Sequence, residues 1–504
     1  MGMITLTLAL PLVGALALAL VEGDERLVKV VGLAASIAAF VASVVLVVQF
    51  DTAEPGLQLA ERVDWIPAID ASISFAIDGV SLLLIVLTTL FTPLILIASW
   101  DSITDRVKGY VAAFLVLEAA IIGVFAATDV LLFYIFFEFS LVPMYLIIGI
   151  WGGSARKYAA VKFFLYTLAG GLLMLVAILY LYGQAGSFDY DAIREAGSAL
   201  GLSEQRWLFL AFGLAFAVKV PLFPVHTWLP DAHTEAPTGG SVFLAAILLK
   251  LGTFGLLRYA LPILPDATMD WAPWLLAVGV VGILYGAVVA LMQRDIKRLI
   301  AYSSVSHMGF VVLGTFALNT TATSASVVQM INHGLSTGAL FLLVGFLYER
   351  RHTRQIAAFG GLARQVPVMA GLWLVVSLSS LALPGLNGFV GEFPILLGTF
   401  QVNRAAAVLA AFGAVLAALY LLWAYQRMFH GPLEGADNQN TIDLKPREVG
   451  VLAPIVALTL AIGIFPQPLF NLVEPAVDRI LVEVGAPGEL PVEPVSTPGE
   501  EVDQ

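Results

Sequence analysis

Stretches of about twenty consecutive apolar residues, the length a helix needs to cross the hydrocarbon of a bilayer, recur fourteen times along this chain of 504 residues. They fall near 3–21, 27–49, 79–99, 109–127, 129–150, 158–182, 207–224, 238–260, 271–293, 298–318, 325–348, 367–401, 405–427 and 448–466. Only short polar connectors separate them, so no stretch remains from which a water-soluble domain could be assembled. The predicted fold is therefore an all-α polytopic membrane protein. Composition agrees: 59% of residues are hydrophobic and 12% charged, against roughly 45–50% and 25% in soluble domains. The twelfth run is too long for one straight helix, and Pro384, Gly385, Gly388 and Gly391 predict a break within it. The first run, Met3 to Val21, has no basic residue before it and no small-residue cleavage site, so it reads as a retained helix.

Several function classes fall away. A net charge of −12 and the lack of a basic cluster interleaved with aromatics argue against nucleic acid. Zero cysteines remove thiolate-held iron–sulfur clusters, disulfides and thiol redox chemistry. Neither a Walker A loop nor a dinucleotide-binding glycine fingerprint is present.

Basic residues are retained on the cytoplasmic side of a membrane protein. Here seventeen of the 25 fall in odd-numbered loops and five in even-numbered ones, Arg258 among the latter and Lys297 among the former. That asymmetry puts both termini, and the acidic 51–70 loop, outside the cytoplasm. After the last run, Pro468 to Val484 alternates apolar and charged positions as a surface helix would, and the Pro- and Glu-rich residues beyond are predicted to be disordered.

Two lysines, Lys219 and Lys250, lie inside apolar runs. An ionised lysine at the centre of a bilayer helix costs on the order of 2.5–3.5 kcal/mol, so it persists only with a partner, with water, or neutral. Candidate partners at similar depth are Glu118, Glu138 and Glu392. The plainer alternative is that these charges tie helices together, or that Lys219 snorkels to the interface. Phe216-Ala-Val-Lys219-Val-Pro221 and Phe389-Val-Gly-Glu392-Phe-Pro394 share one frame, each in an interrupted run. Paired, proline-broken spans point to inverted-repeat transporters with a site at mid-membrane. Runs 4–8 and 9–13 would be two inverted five-helix repeats, each with a broken helix. The chain then divides into 1–105, a first repeat at 106–262, a second at 263–430, a last helix and surface helix at 431–485, and a tail at 486–504.

Histidines add groups that titrate near neutrality. His307 and His333 lie within runs ten and eleven beside Ser, Thr and Asn, where a proton relay and a hydrogen-bonded packing role are alternatives. His226 and His233 lie between runs seven and eight, while His352 and His430 fall in loops. His226, Asp231 and His233 have a loose metal-like spacing, although the segment also reads as a turn and helix cap. No metal site is assigned, and no bis-histidine haem.

The segments FYIFFEFSLVPMYLIIGIWGG, VKVPLFPVHTWLPDAHTEAPTGGSVFLAAILLKLG, RDIKRLIAYSSVSHMGF and LPGLNGFVGEF together resemble the antiporter-like subunits of respiratory complex I, over roughly residues 75 to 430. Within that family Glu392 and the missing lateral C-terminal helix set the chain apart from the L- and N-type paralogues. The resemblance implies a proton-translocating subunit of an NADH-quinone oxidoreductase in a prokaryotic cell membrane. Glu138 would pair with Lys219, Lys250 would be the central relay, His307 and His333 would continue the polar axis, and Glu392 would stand at the exit. Glu118, His226 and His233 are weaker candidates, Glu118 for lateral coupling. No cofactor is expected in this chain; FMN, iron–sulfur clusters and quinone would sit in partner subunits, beside L-like, N-like and K-like membrane neighbours and the hydrophilic NADH- and quinone-handling arm. The alternatives are an Mrp-type Na⁺/H⁺ antiporter subunit and the equivalent subunit of a complex-I-like hydrogenase or photosynthetic complex.

Overall fold

The computed structural model describes residues 2–486 apart from Pro55, so the tail expected to be disordered lies almost wholly outside the described residues. Every predicted run is helical. Twelve helices among the described residues are long and apolar enough to cross a membrane, from Met3–Leu20 to Pro446–Ile464. The other two expected crossings are interrupted. Leu202–Lys219 stops short of Pro221, and the chain turns before resuming as Trp228–Glu235. Pro367–Ser380 and Asn387–Val402 are separated by a turn in which Ala382 and Gly385 take φ of +62° and +90°. A proline contributes no backbone N–H to the helical ladder, so both breaks fall where donors are missing.

The shared charge frame does not sit alike in the two breaks. Lys219 closes the leading half-helix, whereas Glu392 lies in the second turn of the trailing one. A match of six residues located the breaks but not the register of the charge within them.

The acidic 51–70 loop carries an element that long apolar runs do not signal. Gln58–Ile66 and Ala71–Ile77 pair antiparallel as a hairpin, with Asp70 at φ +48° in its turn. Ser72 and Ser74 alternating with Ile73 and Phe75 were the available signal. The hairpin holds the chain start, because the Glu61 carboxylate accepts from the Ile4 N–H at 2.7 Å.

Ion pairs join odd-numbered loops to odd-numbered ones and even-numbered to even-numbered, on two faces. On the basic one, Arg350 pairs with Glu448, Arg354 with Asp295 and Arg447 with Asp101. The hydrogen bond from Arg447, then its charge, holds the Asp101 carboxyl below its ordinary range. On the opposite face Arg62 pairs with Asp189 and Arg206 with Asp270. Gln467–Val484 is a surface helix as expected: Val473, Val477, Ile480 and Leu481 are buried while Asp478 and Val482 face out. It packs so closely on the start of Gly79–Ala98 that a Cβ at Gly79 would stand 1.7 Å from the Leu472 carbonyl oxygen.

Arg258, counted with the loops, is 4% exposed and lies inside the Thr238–Ile263 crossing, 2.8 Å from the Asp78 carboxylate. Apolar neighbours carry it inward because Asp78, at the cap of Gly79–Ala98, offers a buried counter-charge. Removing one member of a buried pair leaves the other charge uncompensated, at a cost of about 3–5 kcal/mol. Arg258→Met is therefore expected to lower the unfolding midpoint of the detergent-solubilised protein, and Asp78→Asn in the same chain should restore part of the loss.

Candidate functional site

The helix that presents Lys250 is not a regular α-helix. Thr238–Ile263 contains two π-helical segments, Leu244–Leu248 and Leu256–Ala260, with the Leu249 N–H reaching the Leu244 oxygen. Such wide turns free carbonyls from the i→i+4 ladder and recur at functional sites. Here the Lys250 Nζ donates to the Ala245 oxygen at 2.5 Å and lies 2.7 Å from His333 Nδ1. With an ammonium at Lys250 the imidazole accepts at Nδ1; with a neutral amine the roles reverse. One proton can thus be shared across this contact.

From His333 the row continues. Its ring centroid is 6.0 Å from that of His307, and His307 Nδ1 lies 2.7 Å from Glu392 Oε1. Gln329 donates to the same oxygen at 2.9 Å, while Ser380 and Tyr420 stand 3.3 and 3.2 Å from His307 Nε2. Lys250, His333, His307 and Glu392 are each at most 2% exposed. Four of the six main expected residues therefore line up from the Thr238–Ile263 helix to the broken twelfth crossing, as two hydrogen-bonded pairs whose facing histidine rings do not bond each other directly. Such a row can move a proton by making and breaking N–H and O–H bonds in turn.

The other two form their own cluster. Lys219 ends Leu202–Lys219, where a cation faces the partial negative charge of the last carbonyls. The Trp228 indole donates to the Val218 oxygen at 2.8 Å and closes the turn behind it. The Lys219 ammonium stands 4.8 Å from the centre of the Phe137 ring and 6.0 Å from that of Phe163. Glu138, at the end of Val130–Phe139, lies within electrostatic reach of Lys219. They do not meet in an ion pair, and among the described residues neither the carboxylate oxygens nor Nζ has a hydrogen-bond partner. The carboxylate instead rests against the backbone of Gly171, where a Cβ would lie 1.6 Å from Oε1. The cluster is an acid and a base held close and unbonded.

The weaker candidates separate. Glu118 is fully buried beside Thr92, apart from both clusters. His226 is boxed by Phe223, Tyr285 and Tyr302. His233 is fully buried, stacked on Phe341 at 4.6 Å, and feels both Lys250 and Lys297. Asp231 pairs with Lys162 at 2.7 Å and Arg298 at 3.3 Å, so the loose metal-like spacing brings no ligand set together. Among the described residues no three His, Asp or Glu side chains gather as a metal site would need.

Sequence reasoning missed Lys297. Counted as a loop residue, it is 8% exposed, and its Nζ donates to the Ala236 oxygen at 2.5 Å. It lines a cavity of about 660 Å³ on the basic face, with Glu235, Tyr348 and Arg354. Lys297 thus reaches that opening, and His233 lies within electrostatic reach of both Lys297 and Lys250. Its place second in the helix Ile296–Phe316 gave no sign of burial, because the cover is the far-off 234–238 segment. Gln329, a polar residue inside an apolar run, could have been found; Tyr420 offered no signal.

Residues 127–417 match the family described as NADH:quinone oxidoreductase/Mrp antiporter, transmembrane. NADH-quinone oxidoreductase subunit M of Rhodobacter capsulatus is 46% identical over 488 residues, which cover 94% of this chain and 95% of that one. A chain in the structure of respiratory complex I from Thermus thermophilus with bound NADH superposes with a TM-score of 0.87 at 32% identity, over 96% of this chain and all of that one. A chain of the Mrp complex from a Dietzia species shares the fold, with a TM-score of 0.84 at 20% identity over 95% of this chain and 98% of its own.

Proposed function

The chain belongs to the NADH:quinone oxidoreductase/Mrp antiporter family, and from that premise we propose that it is the M-type, proton-translocating membrane-arm subunit of an NADH-quinone oxidoreductase. The observation that carries this reading is the buried row Lys250–His333–His307–Glu392, four ionisable groups in one apolar bundle. Ionisable groups are expensive in hydrocarbon and mark proton or ion pathways there.

Protons enter from the basic face, past Lys297 and His233, and reach Lys250. Glu138 and Lys219 form the control. While Glu138 is ionised beside it, Lys219 stays charged; deprived of that counter-charge in an apolar surrounding, it favours its neutral form and releases its proton along internal water to Lys250. His333 and His307 pass the proton on to Glu392. Residues 106–262 and 263–430 serve as the inverted halves, and both termini stand on the non-cytoplasmic side. A location in a bacterial inner membrane accords with the sorted loops.

Moving a proton outward costs about 2.3 kcal/mol per 100 mV. No thiolate-held cluster can reside in a chain without cysteine. We assign the redox centres, FMN, iron–sulfur clusters and quinone, to partner subunits. The L-like, N-like and K-like subunits are the membrane neighbours, and the hydrophilic NADH- and quinone-handling arm supplies the energy.

The test uses the intact complex in liposomes, measuring protons moved per NADH oxidised. Glu138→Ala is expected to lose pumping while the complex still assembles, whereas Glu138→Asp retains most of it because a carboxylate remains. Normal stoichiometry in Glu138→Ala would defeat the reading. Sodium-dependent transport by the chain without flavin and iron–sulfur partners would favour an Mrp-type exchanger instead.

A further inference from the structure

The mechanism delivers a proton to Glu392 and leaves it there, still inside the bundle. It also leaves the surface helix Gln467–Val484 without a task. One row of side chains connects the two.

Gln329, which donates to Glu392, lies on Thr320–Arg351. Towards the start of that helix, at intervals of three residues, come Ser326, Thr323 and Thr320, a slowly winding row with a rise of about 4.5 Å per step. The Ser326 hydroxyl is 3.1 Å from the Thr315 hydroxyl on the neighbouring Ile296–Phe316. Thr323 donates to the Gly314 oxygen at 3.4 Å. Thr320, at the mouth, donates to Asp478 Oδ1 at 2.5 Å. Asp478 is exposed and lines a surface concavity with Asn471, Arg479 and Glu483.

Asn387–Val402 packs along the same row. A Cβ at Gly391 would stand 2.2 Å from Gln329 Oε1, and one at Gly398 2.7 Å from Asn319 Oδ1. Thr399, two turns beyond Glu392, and Ser324 are buried, and among the described residues neither hydroxyl has a hydrogen-bond partner. Serine and threonine in apolar helices commonly bond back to their own carbonyls, as Thr315 does to Val311 and Ser326 to Thr323. That habit accounts for neither the sideways Ser326–Thr315 contact nor the two unpartnered hydroxyls.

We propose that this seam is the subunit's proton outlet and that Asp478 on the surface helix receives the proton. The proposal rests on the function proposed above. Glu392 loses a proton from its carboxyl O–H. Each hydroxyl accepts one on a lone pair as it releases its own to the next, so one O–H bond forms for each that breaks. The Asp478 carboxylate takes the last proton and yields it to bulk water. Steps wider than one hydrogen bond need a bridging water, for which Thr399 and Ser324 supply partners.

The test again uses the complex in liposomes, with Lys250→Met as the reference for a fully blocked subunit. Asp478→Asn, and the double variant Thr315→Val with Ser326→Ala, are expected to lose the same share of pumped protons as Lys250→Met. Asp478→Glu, and Thr315→Ser with Ser326→Thr, should retain it; rescue by a conserved chemical group separates proton transfer from packing. Wild-type pumping by Asp478→Asn alongside a deficient Lys250→Met would overturn the outlet and leave the function standing. Should Lys250→Met itself pump normally, both proposals fall. If the hydroxyl-free double variant does not assemble, exposed Asp478 decides alone.

Discussion

Lys250→Met and Lys250→Arg are both expected to stop proton transfer through this subunit, although only the first removes the charge. Lysine can exist as a neutral amine, and the pair it makes with His333 needs one member to release a proton as the other receives it. Arginine keeps its proton under all physiological conditions, so it preserves the electrostatics and abolishes the exchange. A positioned proton-transfer group contributes about 10²–10⁴-fold to a rate, so either variant should remove this subunit's share of pumped protons per NADH. The complex should still assemble. Methionine relieves the bundle of an ionisable group, which offsets the loss of a donor for the Ala245 oxygen, itself worth about 1–3 kcal/mol. If Lys250→Arg pumped like the wild type, the site would need only a fixed positive charge, and the relay would be wrong.

The parts of this molecule that could be read from the chain are those in which lipid does the selecting. Twenty apolar residues in a row admit one solution, and a lysine or glutamate left within them stands out for the same reason. Lys219, Lys250, Glu138 and Glu392 were legible on that ground alone. Lys297 and Arg258 were not. Both lie near helix ends, where a base in a polar connector and a base folded inward look alike. Their burial depends on Ala236 and on Asp78, positions brought near only by tertiary packing. The contact between Lys250 and His333 was hidden for another reason, since its reach depends on π-helical turns that apolar periodicity does not reveal. The hairpin at 58–77 was missed because its signal has period two and was masked by the charges of Glu61, Arg62 and Asp64. Glu138 and Lys219 were expected as partners, and they are neighbours that stand unbonded, with the Glu138 carboxylate resting against a glycine, Gly171.

That glycine provides the sharpest test of the control cluster. Gly171→Ala adds one methyl group, yet its carbon would fall 1.6 Å from Glu138 Oε1 and 2.5 Å from Cδ, distances at which the carboxylate must move. The obstacle is the end of a flexible side chain, so the helices can stay where they are while the charge is displaced. Alanine in place of glycine within Arg156–Ala185 should stabilise that helix by about 1 kcal/mol. Gly171→Ala is therefore expected to assemble at least as well as the wild type and to pump as poorly as Glu138→Ala. A shorter acid makes room for the methyl group. Adding Glu138→Asp to Gly171→Ala should recover pumping, so that two substitutions together do better than the glycine change alone, a coupling expected of groups in direct contact. Pumping by Gly171→Ala at the wild-type ratio would mean that the position of Glu138 relative to Lys219 does not control the subunit.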